Sequence, residues 1–275
     1  MKIIHISDIH LTVPGEPMGG LNPHARFAAA LDHVALHHAD AARVIITGDL
    51  AHWGESAAYQ ALSDALALRA LPVRLLIGNH DDRATFLRVF PDHPVDAQGY
   101  VNHAETVNGT RLVYLDTVGT RTHAGHFGPD RLSWLESELT AHSRLRLFMH
   151  HNPMTLGLPA EDRIALIPEH RPAFHALLKR YADRIEHLHF GHVHAPISGL
   201  FHGIPFNSVP STGNQSLPDL QETVWLKGAP MAPAYHVILA QSGQTTIHQI
   251  PFAWDGPVAK SGTGWEDWAK PSAAE

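Results

Sequence analysis

Five segments of the sequence place residues that can bind metal ions directly after short apolar runs. They read Ser7-Asp8-Ile9-His10, Gly48-Asp49, Gly78-Asn79-His80-Asp81, His150-His151-Asn152 and Gly191-His192-Val193-His194. Taken singly, most of them are typical of turns in which a side chain bonds the backbone. The last segment is more specific, because residues i and i+2 of an extended segment project to the same side and can present two imidazoles together.

The apolar runs before these segments are predicted to be strands. We predict strands at 2–7, 43–47, 73–77, 144–150 and 185–190, and helices at 25–39, 56–70, 128–142 and 171–182. Asn108-Gly109, between two alternating runs, predicts a type I′ hairpin. Because ligand crevices of open α/β sheets lie beyond the carboxyl ends of the strands, we expect all five segments to converge on one site.

Composition limits the class of protein and the kind of site. The 275 residues, of which 44% are apolar, suit one large α/β domain. The chain has no cysteine, so a metal ion would be held by His, Asp, Glu or Asn. The net charge is −7 without any basic run, which argues against extended nucleic acid as a partner. Since no stretch is apolar enough for a membrane span and no secretory signal is evident, we expect a cytoplasmic protein without a membrane partner.

The candidate ligands suit a pair of divalent metal ions. Oxygen and nitrogen donors without sulfur favour Mn, Fe, Zn or Co, and a carboxylate such as Asp49 can bridge two ions about 3.5 to 4 Å apart. One ion is assigned to Asp8, His10, Asp49 and His194, and the other to Asp49, Asn79, His150 and His192. With a bound hydroxide the site carries a charge of about +1, which suits an anionic phosphate. Water bound to such ions has its pKa lowered towards about 7, so the expected reaction is hydrolysis at phosphorus.

In their order along the chain, these blocks resemble the calcineurin-like metallophosphoesterases. The resemblance covers roughly residues 1–195 and is greatest to the class III cyclic nucleotide phosphodiesterases and the bacterial glycerophosphodiesterases, which share HISD-x-H, GNHDD and MHH-x-P. It implies an α/β fold in four layers, a two-sheet β-sandwich flanked by helices, with a dinuclear metal centre at the carboxyl ends of the strands. It also implies the ligand set given above, with His80 as the catalytic residue that contacts the phosphoryl oxygen or the leaving group.

The adjacent residues His150 and His151 pose a separate question. Strand alternation groups His151 with Leu147 and Met149, which favours His151 as the inward residue. The resemblance instead makes His150 the ligand, and we adopt that assignment because a site beyond the strand end is reached along the sheet edge. His151 is then expected to orient a ligand or to meet the substrate.

Departures from the family pattern bear on the substrate. The stretch GDLAHWG lacks the GD-x-x-DRG pattern of the protein phosphatases, so a phosphoprotein is not expected. The stretch PSTGNQ has Asn214 where the related diesterases often carry a histidine, so Asn214 is the candidate substrate-binding residue at this position. His52 and Trp53 are candidates for the rim of the pocket, although ordinary packing around the loop would explain them equally well.

The leading hypothesis for function is hydrolysis of a small phosphodiester, either a 3′,5′-cyclic nucleotide or a glycerophosphodiester, by in-line attack of a metal-bound hydroxide. A phosphomonoesterase shares the dinuclear chemistry and is the nearest alternative. A non-catalytic scaffold for protein binding would be expected to have lost ligands, whereas every ligand position here holds a competent residue.

The chain is divided into three regions on composition and motifs. Residues 1–195 form the predicted metallophosphoesterase core. Residues 196–256, rich in Gly and Pro up to about 235, are expected to complete that core and could serve as a lid or as a homo-oligomer contact. Residues 257–275 are expected to be a weakly structured tail.

Overall fold

In the part of the chain that the structure describes, the fold consists of two large mixed β-sheets, one small two-stranded sheet and six α-helices. The computed structural model describes residues 1–254 and 256–258, so most of the predicted tail, residues 259–275, lies outside the described residues. The strands are β1 Lys2–Ile6, β2 Arg43–Thr47, β3 Val73–Leu76, β4 His103–Val107, β5 Thr110–Leu115, β6 Leu145–Met149, β7 Ile185–Phe190, β8 Ser198–Phe201, β9 Ile204–Ser208, β10 Gln215–Ser216, β11 Gly228–Ala229, β12 Ala234–Gln241 and β13 Gln244–Pro251. The helices are α1 Pro23–His37, α2 Ser56–Ala67, α3 Arg83–Val89, α4 Pro129–Ala141, α5 Pro159–Asp162 and α6 Arg171–Arg180, with a 3-10 turn at Ala182–Arg184.

The strands divide between two large sheets and one small hairpin. The first sheet has the order β13-β12-β1-β2-β3, and the second has the order β4-β5-β6-β7-β9-β8. Strands β1 to β3 run parallel, as do β5, β6, β7 and β9, and the remaining strands of both sheets are antiparallel. The carboxyl ends of the parallel strands therefore lie at a common edge of each sheet.

Helices cover the outer face of each sheet. Phe27 of α1 and Tyr59 of α2 are buried against Ile4 and other residues of the first sheet. Phe174 of α6 is buried with Leu147 of the second sheet in a separate core. A face of parallel strands that is covered by helices is apolar, which is why the strands read as nearly continuous apolar runs.

The inner faces of the two sheets pack on each other. Ile3 of β1 shares this interface with Tyr114 of β5 and Phe148 of β6. On β6 the side chains alternate, so that Leu147 packs towards the helices and Phe148 packs towards the other sheet. The fold is the predicted four-layer sandwich of helices, sheet, sheet and helices.

Four histidines lie in this interface between the sheets. His5 of β1 pairs across the sheet with His236 of β12, and its ring is 5.9 Å from that of His189. His189 Nδ1 lies 2.6 Å from Asn207 Oδ1, and the Asn207 amide donates to His236 at 3.1 Å. His187 stacks on His189 with ring centroids 4.3 Å apart. Burial lowers the pKa of all four, to about 4 for His187 and His236, so they are neutral at pH 7.

Most of the predicted elements have their counterparts in the structure, with differences at their ends. The Asn108-Gly109 hairpin joins β4 to β5, with both residues at positive φ as a type I′ turn requires. Asn22 caps α1, accepting a hydrogen bond from the Ala25 amide at 3.0 Å. Within the described residues, no helix is long and apolar enough to span a bilayer.

The region after residue 195 contains strands that the sequence did not indicate. Strands β8 and β9 extend the second sheet and β12 and β13 extend the first, so this region supplies an edge to each sheet. Between β10 and β11 the chain makes a loop, residues 217–227, that we call the excursion. Helices α3 and α5 also went unpredicted, because seven and four residues are too few to establish a helical period.

Candidate active site

The five predicted segments meet at one cavity beyond the carboxyl ends of the parallel strands. It has a volume of about 390 Å³. The residues that line it include six of the predicted metal-binding and catalytic residues: His10, Asp49, Asn79, His80, His192 and His194. Asp8 and His150 lie beneath these residues and are fully buried. The convergence predicted from strand order is therefore present in the structure.

The first predicted ligand set forms a tight group. The potential ligand atoms of Asp8, His10, Asp49 and His194 all lie within 4.8 Å of one another. His10 Nε2 is 3.1 Å from His194 Nε2, and His194 Nε2 is 3.4 Å from Asp8 Oδ1. Four donors aimed at a common point, two of them carboxylates, suit a divalent cation.

The second set lies beside the first and includes an amide oxygen. His150 Nε2 is 3.0 Å from Asn79 Oδ1 and 3.4 Å from Asp49 Oδ1. His192 Nε2 is buried and has no hydrogen-bond partner among the described residues. A buried imidazole nitrogen without a protein partner beside these donors is free to bind a metal ion.

Asp49 lies between the two sets. Its Oδ2 atom is 3.5 Å from His10 Nε2, and its Oδ1 atom is 3.4 Å from His150 Nε2. Oδ1 also accepts a hydrogen bond from the His80 amide at 2.9 Å, which fixes the plane of the carboxylate. The two oxygens thus point towards different sets of donors, as the predicted bridging role requires.

Backbone carbonyls set the proton positions of three histidines in the site. The Nδ1 atom of His150 lies 2.8 Å from the Thr47 carbonyl, that of His194 lies 2.8 Å from the Asn214 carbonyl, and that of His80 lies 2.7 Å from the His52 carbonyl. A carbonyl only accepts, so each Nδ1 donates its proton. In the neutral ring, Nε2 is then left with a free lone pair.

Burial and mutual charge shift the pKa values of these groups. Burial lowers the pKa of His10 and of His192 to about 3, which keeps both rings neutral and able to act as ligands. Burial opposes ionisation of Asp8, but His194 and His150 outweigh it and lower its pKa to about 2. Burial also opposes a charge on His150, but the Asp49 carboxylate outweighs it and raises the pKa of His150 to about 9.

The backbone at the site is strained. Asp8, His10, Asp49, His192 and His194 all have positive φ values, between 44° and 69°. This left-handed region is unfavourable for residues with a Cβ atom, and such strain is concentrated at functional sites.

Two glycines permit a close approach that no larger residue would allow. A Cβ atom on Gly78 would collide with the Asp49 side chain, and one on Gly191 would collide with Ser7 Oγ. These positions explain the glycine that opens each of the Gly-Asn-His-Asp and Gly-His-Val-His segments.

His151 does not occupy the position predicted for a residue that contacts the substrate. It is fully buried, its Nδ1 lies 2.7 Å from Thr117 Oγ1, and its Nε2 lies 3.1 Å from the His123 carbonyl. It lies close to His150 and His192, but both of its ring nitrogens are already engaged. His151 therefore lies behind the cavity, where it holds the His123 loop in place.

The other two predicted substrate residues do line the cavity. His52 stacks on His80 with ring centroids 5.4 Å apart and an angle of 8° between the rings. Asn214 lies beside His194 and bonds it through its carbonyl. Both residues are thus positioned at the site, one beside His80 and one beside His194.

Sequence reasoning missed three residues with polar roles around the site. His123 Nδ1 accepts from the Asn79 amide at 2.9 Å, although no motif marked its loop. Asp81, the last residue of a segment that was identified, accepts from the Leu50, Ala51 and Gly78 amides at 2.7 to 3.0 Å and so ties two loops together. Glu161 also lines the cavity, and it lies on the short helix α5, which no periodicity could reveal.

A two-sheet sandwich with this Asp, His and Asn cluster at its edge defines a metallophosphoesterase. The calcineurin-like phosphoesterase family matches residues 1–196, and the chain belongs to that family. The family resemblance, the fold class and the class of enzyme predicted from the sequence are thereby confirmed.

The similar proteins act on small phosphodiesters, according to their names. A probable cyclic nucleotide phosphodiesterase of Rhodopseudomonas palustris is 36% identical over 94% of this chain and 95% of its own length. The glycerophosphodiester phosphodiesterase of Enterobacter lignolyticus is 27% identical, and the 3′,5′-cyclic adenosine monophosphate phosphodiesterase of Escherichia coli K12 is 26% identical. These alignments cover 78% and 79% of this chain, respectively, and 78% of each relative.

Solved structures agree on the fold. A dimetal phosphatase from Danio rerio superposes with a TM-score of 0.68 over 90% of this chain and 95% of its own, at 14% identity. At that identity the likeness establishes the fold alone.

Proposed function

We propose that this chain hydrolyses small phosphodiesters at a two-metal centre. Asp8, His10, Asp49 and His194 would hold one divalent ion, and Asp49, Asn79, His150 and His192 would hold the other. The observation that carries the proposal is the position of Asp49, whose two oxygens face His10 and His150 at 3.5 and 3.4 Å.

The donor set also supports a choice of metals. Imidazole, carboxylate and amide groups without sulfur favour Mn, Fe, Zn or Co over softer or harder ions. Such ions, when bound, lower the pKa of water and neutralise charge on the phosphate. The buried His192 Nε2 atom, which lacks a protein partner among the described residues, fits this assignment.

His80 is assigned the proton transfer to the leaving alcohol. Its Nδ1 is held by the His52 carbonyl at 2.7 Å, so Nε2 is the atom that exchanges a proton within the cavity. Stacking on His52 and the contact with His123, at a ring distance of 5.0 Å, fix the plane of the ring. Positioned general acids of this kind contribute about 10²- to 10⁴-fold to rate.

The substrate is proposed to be a 3′,5′-cyclic nucleotide or a glycerophosphodiester. The cavity of about 390 Å³ suits a small molecule, and the names of the similar proteins include both substrate types. The chain carries a net charge of −7, which fits a small anion held by metal ions better than it fits a nucleic acid.

The excursion is proposed to act as a rim or lid over the substrate. Leu226 and Lys227 line the cavity, while Leu220, Val224 and Trp225 of the same loop are exposed. These exposed residues could also form a contact between copies of this chain. Sedimentation would test this by showing whether the protein is a monomer or a homo-oligomer.

A substrate panel tests the proposed function. Bis(p-nitrophenyl) phosphate, p-nitrophenyl phosphate, cyclic AMP and glycerophosphocholine would be assayed with Mn, Fe, Co and Zn added to chelator-treated protein. We expect metal-dependent hydrolysis of diesters with higher kcat/KM than for the monoester. Higher kcat/KM for the monoester would identify a phosphomonoesterase, and a protein that binds no metal would be a scaffold.

A further inference from the structure

One acidic side chain in the cavity wall is not used in the proposed metal binding or in the proposed proton transfer. Glu161 of α5 lines the same cavity as His194 and Asn214. It is only 8% exposed, and burial raises the pKa of its carboxyl group. Glu161 does not belong to any of the three groups of potential metal ligands found among the described residues.

The charge on Glu161 is only partly compensated, since His194 favours it whereas Asp8 and Asp162 oppose it. Its Oε1 accepts a hydrogen bond from Ser216 Oγ at 3.0 Å, but within the described residues no Lys or Arg forms an ion pair with it. Lys227 lines the same cavity, yet its ammonium group is bound to Asp219 at 2.6 Å. A largely buried carboxylate with a single hydroxyl donor is unfavourable unless a further donor reaches it.

Glu161 is linked to the proposed metal centre through one residue. The Ser216 amide donates to the His194 carbonyl at 3.0 Å, and the Ser216 hydroxyl donates to Glu161. Helix α5, which carries Glu161, is also bound to the excursion, because the Ala160 amide donates to the Glu222 carbonyl at 3.1 Å. Glu161 therefore stands beside the His194 part of the cavity, whereas His80 stands beside His52 and His123.

A carboxylate beside the site of an anionic phosphodiester would repel any substrate that has no hydrogen-bond donor for it. The repulsion is offset only by a group of the substrate that donates a hydrogen bond to the carboxylate, and hydrogen bonds to charged groups are about twice as strong as neutral ones. Ribose and glycerol esters both carry such a donor, a free hydroxyl close to the phosphate. A simple alkyl or aryl diester carries none.

We propose that Glu161 is a specificity residue that accepts a hydrogen bond from a free hydroxyl of the substrate, so that the site selects hydroxylated diesters over their deoxygenated analogues. The inference rests on the proposed phosphodiesterase function and adds a residue that determines its substrate preference. It assigns Glu161 a contact with the alcohol part of the substrate and leaves metal binding to the Asp, His and Asn cluster.

Two pairs of substrates test the inference. The first pair is cyclic AMP and 2′-deoxy cyclic AMP, and the second is the methyl ester of glycerol 3-phosphate and methyl propyl phosphate. In the unsubstituted protein we expect kcat/KM to favour the hydroxylated member of at least one pair by about 10- to 100-fold, because the analogue leaves the carboxylate unpaired. Which pair shows the preference distinguishes a ribose from a glycerol substrate.

Variants separate the carboxylate from its structural hydrogen bond. Glu161→Ala should bring the kcat/KM ratio within each pair close to one, and Glu161→Gln, which keeps an acceptor oxygen, should retain an intermediate ratio. Ser216→Ala removes the hydrogen bond to Glu161 but keeps its charge, so it should preserve the ratio. Circular dichroism and metal content would confirm that each variant is folded and loaded.

The outcomes are distinct. Equal ratios in the unsubstituted protein and in Glu161→Ala, or loss of the preference in Ser216→Ala as large as in Glu161→Ala, would overturn the role of Glu161 while diester hydrolysis stands. If the unsubstituted, metal-loaded protein hydrolyses no diester, including bis(p-nitrophenyl) phosphate, the proposed function and this inference are overturned together.

Discussion

The Nε2 atoms of His10 and His194 face each other at a distance of 3.1 Å in the wall of the cavity. The Asn214 carbonyl accepts a hydrogen bond from Nδ1 of His194, and burial lowers the pKa of His10 to about 3. Two ring nitrogens in this arrangement are held together by a single shared proton or by a cation between them. Asp8 and Asp49 complete the group, so a divalent ion is the better match to its charge.

Metal loading should therefore stabilise the fold. Adding Mn²⁺ or Zn²⁺ to chelator-treated protein should raise Tm by about 5–10 °C at concentrations well above Kd, since binding to the folded state alone adds a few kcal/mol. Differential scanning fluorimetry measures the shift. His10→Ala should show a smaller shift, and an equal shift in that variant would place the stabilising ion elsewhere.

Asp49→Asn should remove at least one of the two ions. The change keeps the shape of the side chain but takes away the negative charge that faces both donor sets. We expect metal content by mass spectrometry to fall from about two ions to one or fewer per chain, with a loss of activity of about 10³-fold or more. Normal loading with two ions in Asp49→Asn would contradict the bridging assignment.

His80→Ala should lower turnover without emptying the metal sites. Loss of a positioned proton donor reduces kcat by about 10²- to 10⁴-fold, and His80 holds neither ion in the proposed assignment. The loss should be smaller for p-nitrophenyl esters, whose leaving group needs less protonation. His37→Ala, an exposed histidine on α1, is the matched control and should behave as the unsubstituted protein. Loss of metal together with activity would make His80 a ligand or a structural residue.

His150→Ala and His151→Ala should differ in their effect on metal. His150 directs Nε2 at Asn79 and Asp49, so its removal should lower metal content at one position. Both nitrogens of His151 bond Thr117 and His123, so its removal should leave metal content near two and act on the His123 loop. Metal analysis of the two variants decides the matter, and the reverse result would make His151 the ligand.

Stability should rise with pH between about pH 4 and pH 6.5 because of the histidines between the sheets. His187 and His236 have pKa values lowered to about 4, so the unfolded chain, with histidine pKa near 6.5, binds more protons in this range. The stability present at pH 7 is thus lost as pH falls below about 6.5, by up to about 3 kcal/mol for each residue.

Chemical denaturation of chelator-treated protein across this pH range measures the effect. His187→Phe keeps the aromatic stacking on His189 but cannot titrate, so its stability should depend less steeply on pH. Comparing the two slopes isolates the contribution of His187 together with its effect on the pKa values of His5 and His189. Identical slopes would show that His187 does not contribute.

The sequence reveals the convergence of the site because each motif follows a strand directly. Asp8, Asp49 and Asn79 follow β1, β2 and β3 within a few residues, so strand position alone determines where they lie. The side chains of β6 do alternate between the two faces of the sheet, and Phe148 lies on the same face as His150. What alternation could not show is that this face is the interface between two sheets, and so the one that leads to the site.

Other parts of the site depend on contacts between residues distant in sequence. Glu161 comes to the cavity on four residues of helix, held by the excursion, and His123 comes on a loop without a motif. Similarly, β12 pairs with β1, a strand more than two hundred residues earlier in the chain, and lies between β1 and the edge strand β13. No local pattern encodes such pairings, which arise from the burial of apolar strands once both sheets exist.

The proposed ligands come from both sheets, with Asp8, His10, Asp49 and Asn79 following strands of the first and His150, His192 and His194 following strands of the second. Each proposed ion would thus take ligands from both sheets, so the separation of the sheets would determine how closely those ligands approach one another. Phe148 and Ile3 are buried in the interface between the sheets and so contribute to that separation. Exchanging Phe148 or Ile3 for a smaller side chain would therefore change the spacing of the ligands, and with it the rate of the reaction, without replacing any ligand.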